Sequence, residues 1–145
     1  TKVRILLPSG YDPASDVRYP VLYLLHGGTG SYVDWTTQGD AESLSEPYPV
    51  IIVMPDRSGV GNYVDWWNFG AGGPPMWGTY HIEQLLRWVD EHYNTIPTRD
   101  ARAVAGLSMG GGGAGHYASP PPDLFTAAGL FSGAVDTNTI PVQAA

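Results

Sequence analysis

The apolar positions of this chain fall into two kinds of run. "VLYLL" (21–25) and "VIIVM" (50–54) are continuously apolar and end in turn residues, His26-Gly27-Gly28 and Pro55-Asp56. Continuous apolarity over five residues predicts strands covered on both faces, as in a parallel sheet. "ARAVAGLS" (101–108) and "FTAAGLFSG" (125–133) are two further strands of this kind, and "KVRILLP" (2–8) is a strand that breaks at Pro8-Ser9-Gly10. Other segments have helical spacing. From Thr79 to Tyr93, Ile82, Leu85, Leu86 and Val89 recur at intervals of three and four, with Trp88 beside them. A helix is also expected over Asp34–Glu46, on weaker periodicity. The segment "MGGGGAGHYAS" (109–119) stands where another helix should begin. Its glycines disfavour a helix on propensity, so packing against the rest of the fold must hold it.

Strands alternating with helices give an α/β fold with a mostly parallel sheet and flanking helices. Sites in such sheets lie beyond the C-terminal strand ends. Two candidate segments stand there, His26-Gly27-Gly28 and Ser108.

Composition narrows the function. A length of 145 residues is one domain, and 43% hydrophobic with 14% charged residues describes an ordered globular chain. A net charge of −7, with seven basic residues scattered singly, argues against nucleic acid or an anionic membrane surface as partner. Cysteine is absent, which excludes disulfides and thiolate metal sites, and no histidine or carboxylate spacing suggests a metal. No cofactor is expected. No apolar run approaches the roughly 18 residues of a membrane span, and no signal peptide is expected in the N-terminal residues, "TKVRILLP" being open to reading as a mature or trimmed start; localisation stays open between secreted and cytoplasmic.

"GLSMG" (106–110) fits G-x-S-x-G, in which a serine sits on a sharp strand-to-helix turn and the glycines admit neighbouring backbone. This makes Ser108 the candidate nucleophile. A plain glycine-rich turn is the alternative. "LLHGGTG" (24–30) is a loop able to aim a backbone N–H at the site, with Gly28 favoured as oxyanion donor and Gly27 and Thr29 as competitors. The N–H of Met109 is the second donor, and each such donor is worth about 3 kcal/mol of barrier. In "GNYVDWWNFGAGGPPMW" (61–77), Trp66, Trp67 and Trp77, with Tyr63 and Phe69, either wall a substrate pocket or pack a long loop. None of the four histidines stands out as a base. His26 braces its turn, His116 lies two helical turns past Ser108, and His81 and His92 read as surface or packing residues.

The ordered set "YPVLYLLHGG", "DW" at 34–35, "VIIVMPD", "MWGTYHIEQLLRWVDEHY", "AVAGLSMGG" and "PDLFTAAGLFSG" resembles the putative-esterase family of α/β-hydrolases. That group includes esterase D (S-formylglutathione hydrolase), feruloyl esterases and the mycobacterial mycolyltransferases. The resemblance spans about Val3 to Val135. It implies a serine carboxylic-ester hydrolase acting through an acyl-enzyme on Ser108, with Gly28 and Met109 as oxyanion donors. It implies a small-molecule or polysaccharide-linked ester as substrate. The alternatives are an acyltransferase of the mycolyltransferase type and a non-catalytic fragment or binding module that keeps the scaffold.

Two departures matter. Gly78 replaces an acidic residue usual in the family, which leaves Glu83 as a structural partner rather than a catalyst. Family members also continue past the strand matching "AAGLFSG" with strands whose loops carry the catalytic acid and histidine. Asp136 comes too early to be that acid. The expectation is therefore a single domain over 1–145, incomplete at its C-terminus and lacking those strands. An uncovered sheet edge would then favour self-association.

Overall fold

The computed structural model describes residues 1–57, 62–66, 76–119 and 123–133. Five strands form one sheet: β1 (Val3–Leu6), β2 (Val21–Leu25), β3 (Ile51–Pro55), β4 (Arg102–Leu107) and β5 (Ala127–Phe131), in the order β1-β3-β2-β4-β5. β1 runs antiparallel to β3, with Val3 opposite Pro55. The other pairs are parallel: Val21 registers with both Ile51 and Arg102, and Ala103 with Ala127. The continuously apolar strands are thus the parallel ones, and every residue of β3 is buried.

Both faces of the sheet are covered. Val21, Tyr23, Leu25, Ile51, Val53 and Val104 form one core with Leu85, Leu86, Val89, Ala114 and Tyr117. Leu24, Ile52, Met54 and Ala105 form a second, packed against Trp35. β5 differs, since Leu130 and Phe131 are exposed and the strand pairs only with β4 among the described residues.

The helices depart from the expected pattern in two places. The helix expected over Asp34–Glu46 is broken into α1 (Asp34–Thr37) and α2 (Ala41–Ser45). Asp40 takes a left-handed backbone with φ of 49°, and a Cβ on Gly39 would lie 2.9 Å from the Trp35 carbonyl oxygen. A residue in that conformation ends a helix, which the weak periodicity could not locate. The helix expected over Thr79–Tyr93 is built as α3 (Trp77–Thr79), a π-helical segment Tyr80–Leu85, and α4 (Leu86–His92). Its start is held by Asp65, which accepts from the Thr79 amide (3.0 Å) and hydroxyl (2.5 Å). Gly78 makes room for that carboxylate, since a Cβ there would stand 3.2 Å from Asp65 Oδ1. Glu83 is exposed.

The glycine-rich segment does form a helix, α5 (Met109–Ala118). Its glycines serve close approach. A Cβ on Gly110 would lie 2.2 Å from the Leu25 carbonyl oxygen, and one on Gly106 would lie 2.1 Å from that of Gly110. A Cβ on Gly113 would meet the Tyr63 ring at 2.7 Å. Backbone-to-backbone packing of this kind replaces the helix propensity that the sequence lacks. Among the described residues, no helix is long and apolar enough to cross a membrane.

Candidate active site

β2 is central, flanked by β3 on one side and β4 on the other. The chain leaves the C-terminal end of β2 towards β3 and the C-terminal end of β4 towards β5, so the crevice between β2 and β4 is a topological switch point. Ser108 closes β4 there, and His26-Gly27-Gly28 closes β2.

Ser108 has φ 56° and ψ −118°, a conformation that L-residues seldom adopt. It is over-determined by its neighbours. The Ser108 amide donates to the Phe131 carbonyl at the end of β5 (2.8 Å), and the Ser108 carbonyl accepts from the Gly112 amide (3.1 Å). Such a strained turn lifts a side chain out of the strand end. Among the described residues, nothing hydrogen-bonds the Ser108 hydroxyl. The first turn of α5 begins at Met109, and the opening amides of a helix have no intrahelical acceptor. With the positive end of the helix dipole, they favour an anion.

The glycine loop adjoins the serine: a Cβ on Gly27 would lie 3.6 Å from Ser108 Cβ. A cavity of about 480 Å³ joins the two, lined by residues 26–30, Leu107 and Ser108, with Asp34, Trp35, Gln38 and Gly39 as its far wall. The space beside Gly28 is open, since a Cβ there would meet nothing within 4 Å. Side chains fix the loop from behind. The Tyr63 hydroxyl donates to the His26 carbonyl (2.9 Å), His26 Nδ1 donates to that of Gly27 (2.8 Å), and the Arg57 guanidinium donates to that of Gly28. The Gly30 amide also donates to the Gly27 carbonyl (3.1 Å). Tyr63 is fully buried at a φ of 59°, and burial raises its phenol well above the usual range. Arg57 is buried as well, which lowers its pKa below the ordinary guanidinium value.

His26 is buried, with its second ring nitrogen 3.5 Å from Asp56 Oδ1. It braces the turn, as the sequence reading expected. His81 is a packing residue. Its ring stacks on Trp77 and contacts Tyr63, Tyr80 and Tyr117. Burial lowers its pKa to about 4, so the ring is neutral at pH 7. The neutral tautomer that satisfies both sides donates from Nε2 to the Asp56 carbonyl (3.3 Å) and accepts at Nδ1 from the Tyr117 hydroxyl (2.8 Å). His92 stacks on Trp88 at the helix end, and His116 is exposed, about 10 Å along α5 from Met109.

Of the residues singled out from sequence, the structure brings Ser108, Gly27, Gly28 and Thr29 to one cavity, with Met109 following the serine. Trp66 and Trp77 do not line that cavity: Trp66 is exposed, and Trp77 packs on His81 and Tyr80. Trp67, Phe69 and Asp136 lie outside the described residues. The sequence reading missed Arg57 and the anchoring role of Tyr63. The visible signal was a cation in "MPDR", directly after a wholly buried strand and at the sheet end that carries the site.

Fold and site together define an α/β-hydrolase with a strand-end serine. The chain belongs to the Esterase family, whose model, described as "Putative esterase", matches residues 1–144. It is 42% identical over 136 residues to esterase Rv1288 of Mycobacterium tuberculosis (strain H37Rv), covering 90% of this chain and 28% of that protein. It is 31% identical over 139 residues to an endo-1,4-beta-xylanase/feruloyl esterase of Xylanibacter ruminicola, covering 89% of this chain and 19% of that protein. The chain thus spans under a third of the length of these relatives. A solved ferulic acid esterase superposes with a TM-score of 0.80 at 28% identity, over 97% of this chain and 58% of that one. The α/β-hydrolase fold is also shared with Mycobacterium tuberculosis MPT51, at a TM-score of 0.77 and 24% identity over 98% of this chain and 49% of that one.

Proposed function

We propose that this chain carries the nucleophile and oxyanion elements of a serine carboxylic-ester hydrolase. The observation that carries the reading is the strained backbone of Ser108, at the end of β4 and in one cavity with the Gly27-Gly28 loop. In this reading Ser108 Oγ attacks the ester carbonyl while its proton passes to a general base. The Gly28 and Met109 amides stabilise the charge that develops on the carbonyl oxygen. The C–O bond to the alcohol then breaks, the alcohol leaves with the proton, and water releases the acid from the acyl-enzyme. None of the four histidines of this chain is assigned as the base. Family membership and the likeness to a ferulic acid esterase support a small-molecule or polysaccharide-linked ester as substrate.

The test is acylation by an activated aryl ester, followed as release of the phenol and by intact mass. The reading predicts an acyl adduct that Ser108→Ala abolishes. Phenol release and acylation unchanged in Ser108→Ala would overturn it.

A further inference from the structure

An oxyanion hole works only if its amides already point at the place where charge develops. The Gly27-Gly28 segment is poorly suited to that alone, because glycine peptides have no side chain to hinder their rotation. In a trans peptide the carbonyl of one residue and the N–H of the next point in opposite directions. Fixing a carbonyl therefore fixes the following amide. Here three consecutive carbonyls, those of His26, Gly27 and Gly28, each accept from a different side chain: Tyr63, His26 and Arg57. The first two anchors are neighbours in the aromatic cluster or in the loop itself. Arg57 is different, since it is a cation brought from the end of β3 into a site where its side chain is buried and its Nε finds no acceptor among the described residues. Burying a guanidinium with a donor unused is costly, and a neutral side chain would fill the space more cheaply. What the arginine provides that a neutral side chain cannot is a charge-assisted hydrogen bond to the Gly28 carbonyl, with the charge of the neighbouring Asp56 carboxylate favouring its ionised form.

We infer that Arg57 is a positioning residue of the oxyanion loop: His26, holding the Gly27 carbonyl, sets the peptide that carries the Gly28 amide, and Arg57, holding the Gly28 carbonyl, fixes the other side of the same residue, so that Gly28 cannot rotate its amide away from the cavity beside Ser108. The inference rests on the reading of Ser108 as nucleophile. Arg57 touches no reacting atom and acts only through the backbone. Arg57 is not among the described residues that line the cavity, so its effect should fall on the maximal rate rather than on affinity for the substrate body.

The experiment compares labelling of this chain by an alkyl fluorophosphonate, in which the Oγ–P bond forms, P–F breaks and HF leaves. Wild type, Ser108→Ala, Arg57→Met and Arg57→Lys are followed by intact mass, with the maximal rate separated from the reagent's apparent affinity. Amide exchange at Gly28 and Thr29 is read by NMR in the unlabelled proteins. Expected is a drop in maximal rate of about tenfold or more for Arg57→Met, with apparent affinity little changed and partial recovery in Arg57→Lys. Faster exchange at Gly28 and Thr29 should accompany it, with β2 and β4 amides unchanged. If the wild type labels at Ser108 and Arg57→Met labels at the same maximal rate, the role of Arg57 is overturned and the nucleophile stands. If the wild type labels no faster than Ser108→Ala, the nucleophile reading fails and the role of Arg57 falls with it. Should Arg57→Met not fold, Arg57→Gln decides, because its amide is polar but too short to reach the Gly28 carbonyl. A slowed maximal rate with faster exchange at Gly28 and Thr29 in that variant supports the proposal, and wild-type values of both overturn it.

Discussion

The two regions that meet behind Ser108 are built on opposite principles. Around α5 the contacts are backbone on backbone, with Gly106 and Gly110 admitting carbonyls to distances no side chain would permit. A few ångströms further, Tyr63, Trp77, Tyr80, His81 and Tyr117 pack ring on ring. The first region is intolerant of added atoms and fixes the elbow. The second is sensitive to lost atoms and to charge, and it backs the glycine loop through Tyr63. Rigidity at the site thus has two independent sources, and substitutions can separate them.

The largest effect should come from adding a methyl to the glycine region. Gly110→Ala places a Cβ 2.2 Å from the Leu25 carbonyl oxygen and 2.6 Å from that of His26. Both obstacles are backbone, so relief requires moving α5 off the sheet. A loss of at least about 3 kcal/mol is expected in urea unfolding. An unfolding midpoint equal to wild type would show that the helix does not pack as described.

The aromatic region should respond to acid instead. His81 is neutral and buried with a pKa of about 4, against an ordinary value of 6.5. Below pH 6.5 the unfolded chain takes up a proton that the native ring refuses. Stability from this site is therefore full above pH 6.5 and lost as pH falls towards 4, by about 3 kcal/mol in all. Urea unfolding at a series of pH values measures it, and His81→Phe should flatten that part of the profile. A slope identical in the variant would remove His81 as its cause.

A smaller effect is expected where the two regions join. Tyr63→Phe keeps the ring against Gly113 but deletes the donor to the His26 carbonyl. The cost should be about 1 kcal/mol, the usual size for one buried hydrogen bond. Smaller still is Gly28→Ala, where a Cβ meets nothing within 4 Å and the backbone needs no left-handed conformation. Its stability should stay within about 0.5 kcal/mol of wild type in the same assay.

The contrast between the regions also explains what could be read in the sequence. Buried parallel strands announce themselves locally, because five consecutive apolar residues such as Val50–Met54 have few other uses. G-x-S-x-G and His-Gly-Gly were legible for the same reason: the backbone geometry they need restricts the residues that can supply it. The break at Gly39-Asp40, the π-helical turn at Tyr80–Leu85 and the packing of Trp77 on His81 were not legible. Each depends on partners remote in sequence, and no local periodicity encodes them. Arg57 was missed because a single arginine after a strand reads as a solvated charge until the fold buries it against Gly28.

The central claim, that the strained serine at the end of β4 is a nucleophile, is tested most directly by locating a covalent adduct. The chain is treated with a fluorophosphonate, digested, and mapped by tandem mass spectrometry. The account predicts one phosphonylated residue, Ser108, and no labelling in Ser108→Ala. An adduct on any other serine, or none on the folded chain, would contradict it.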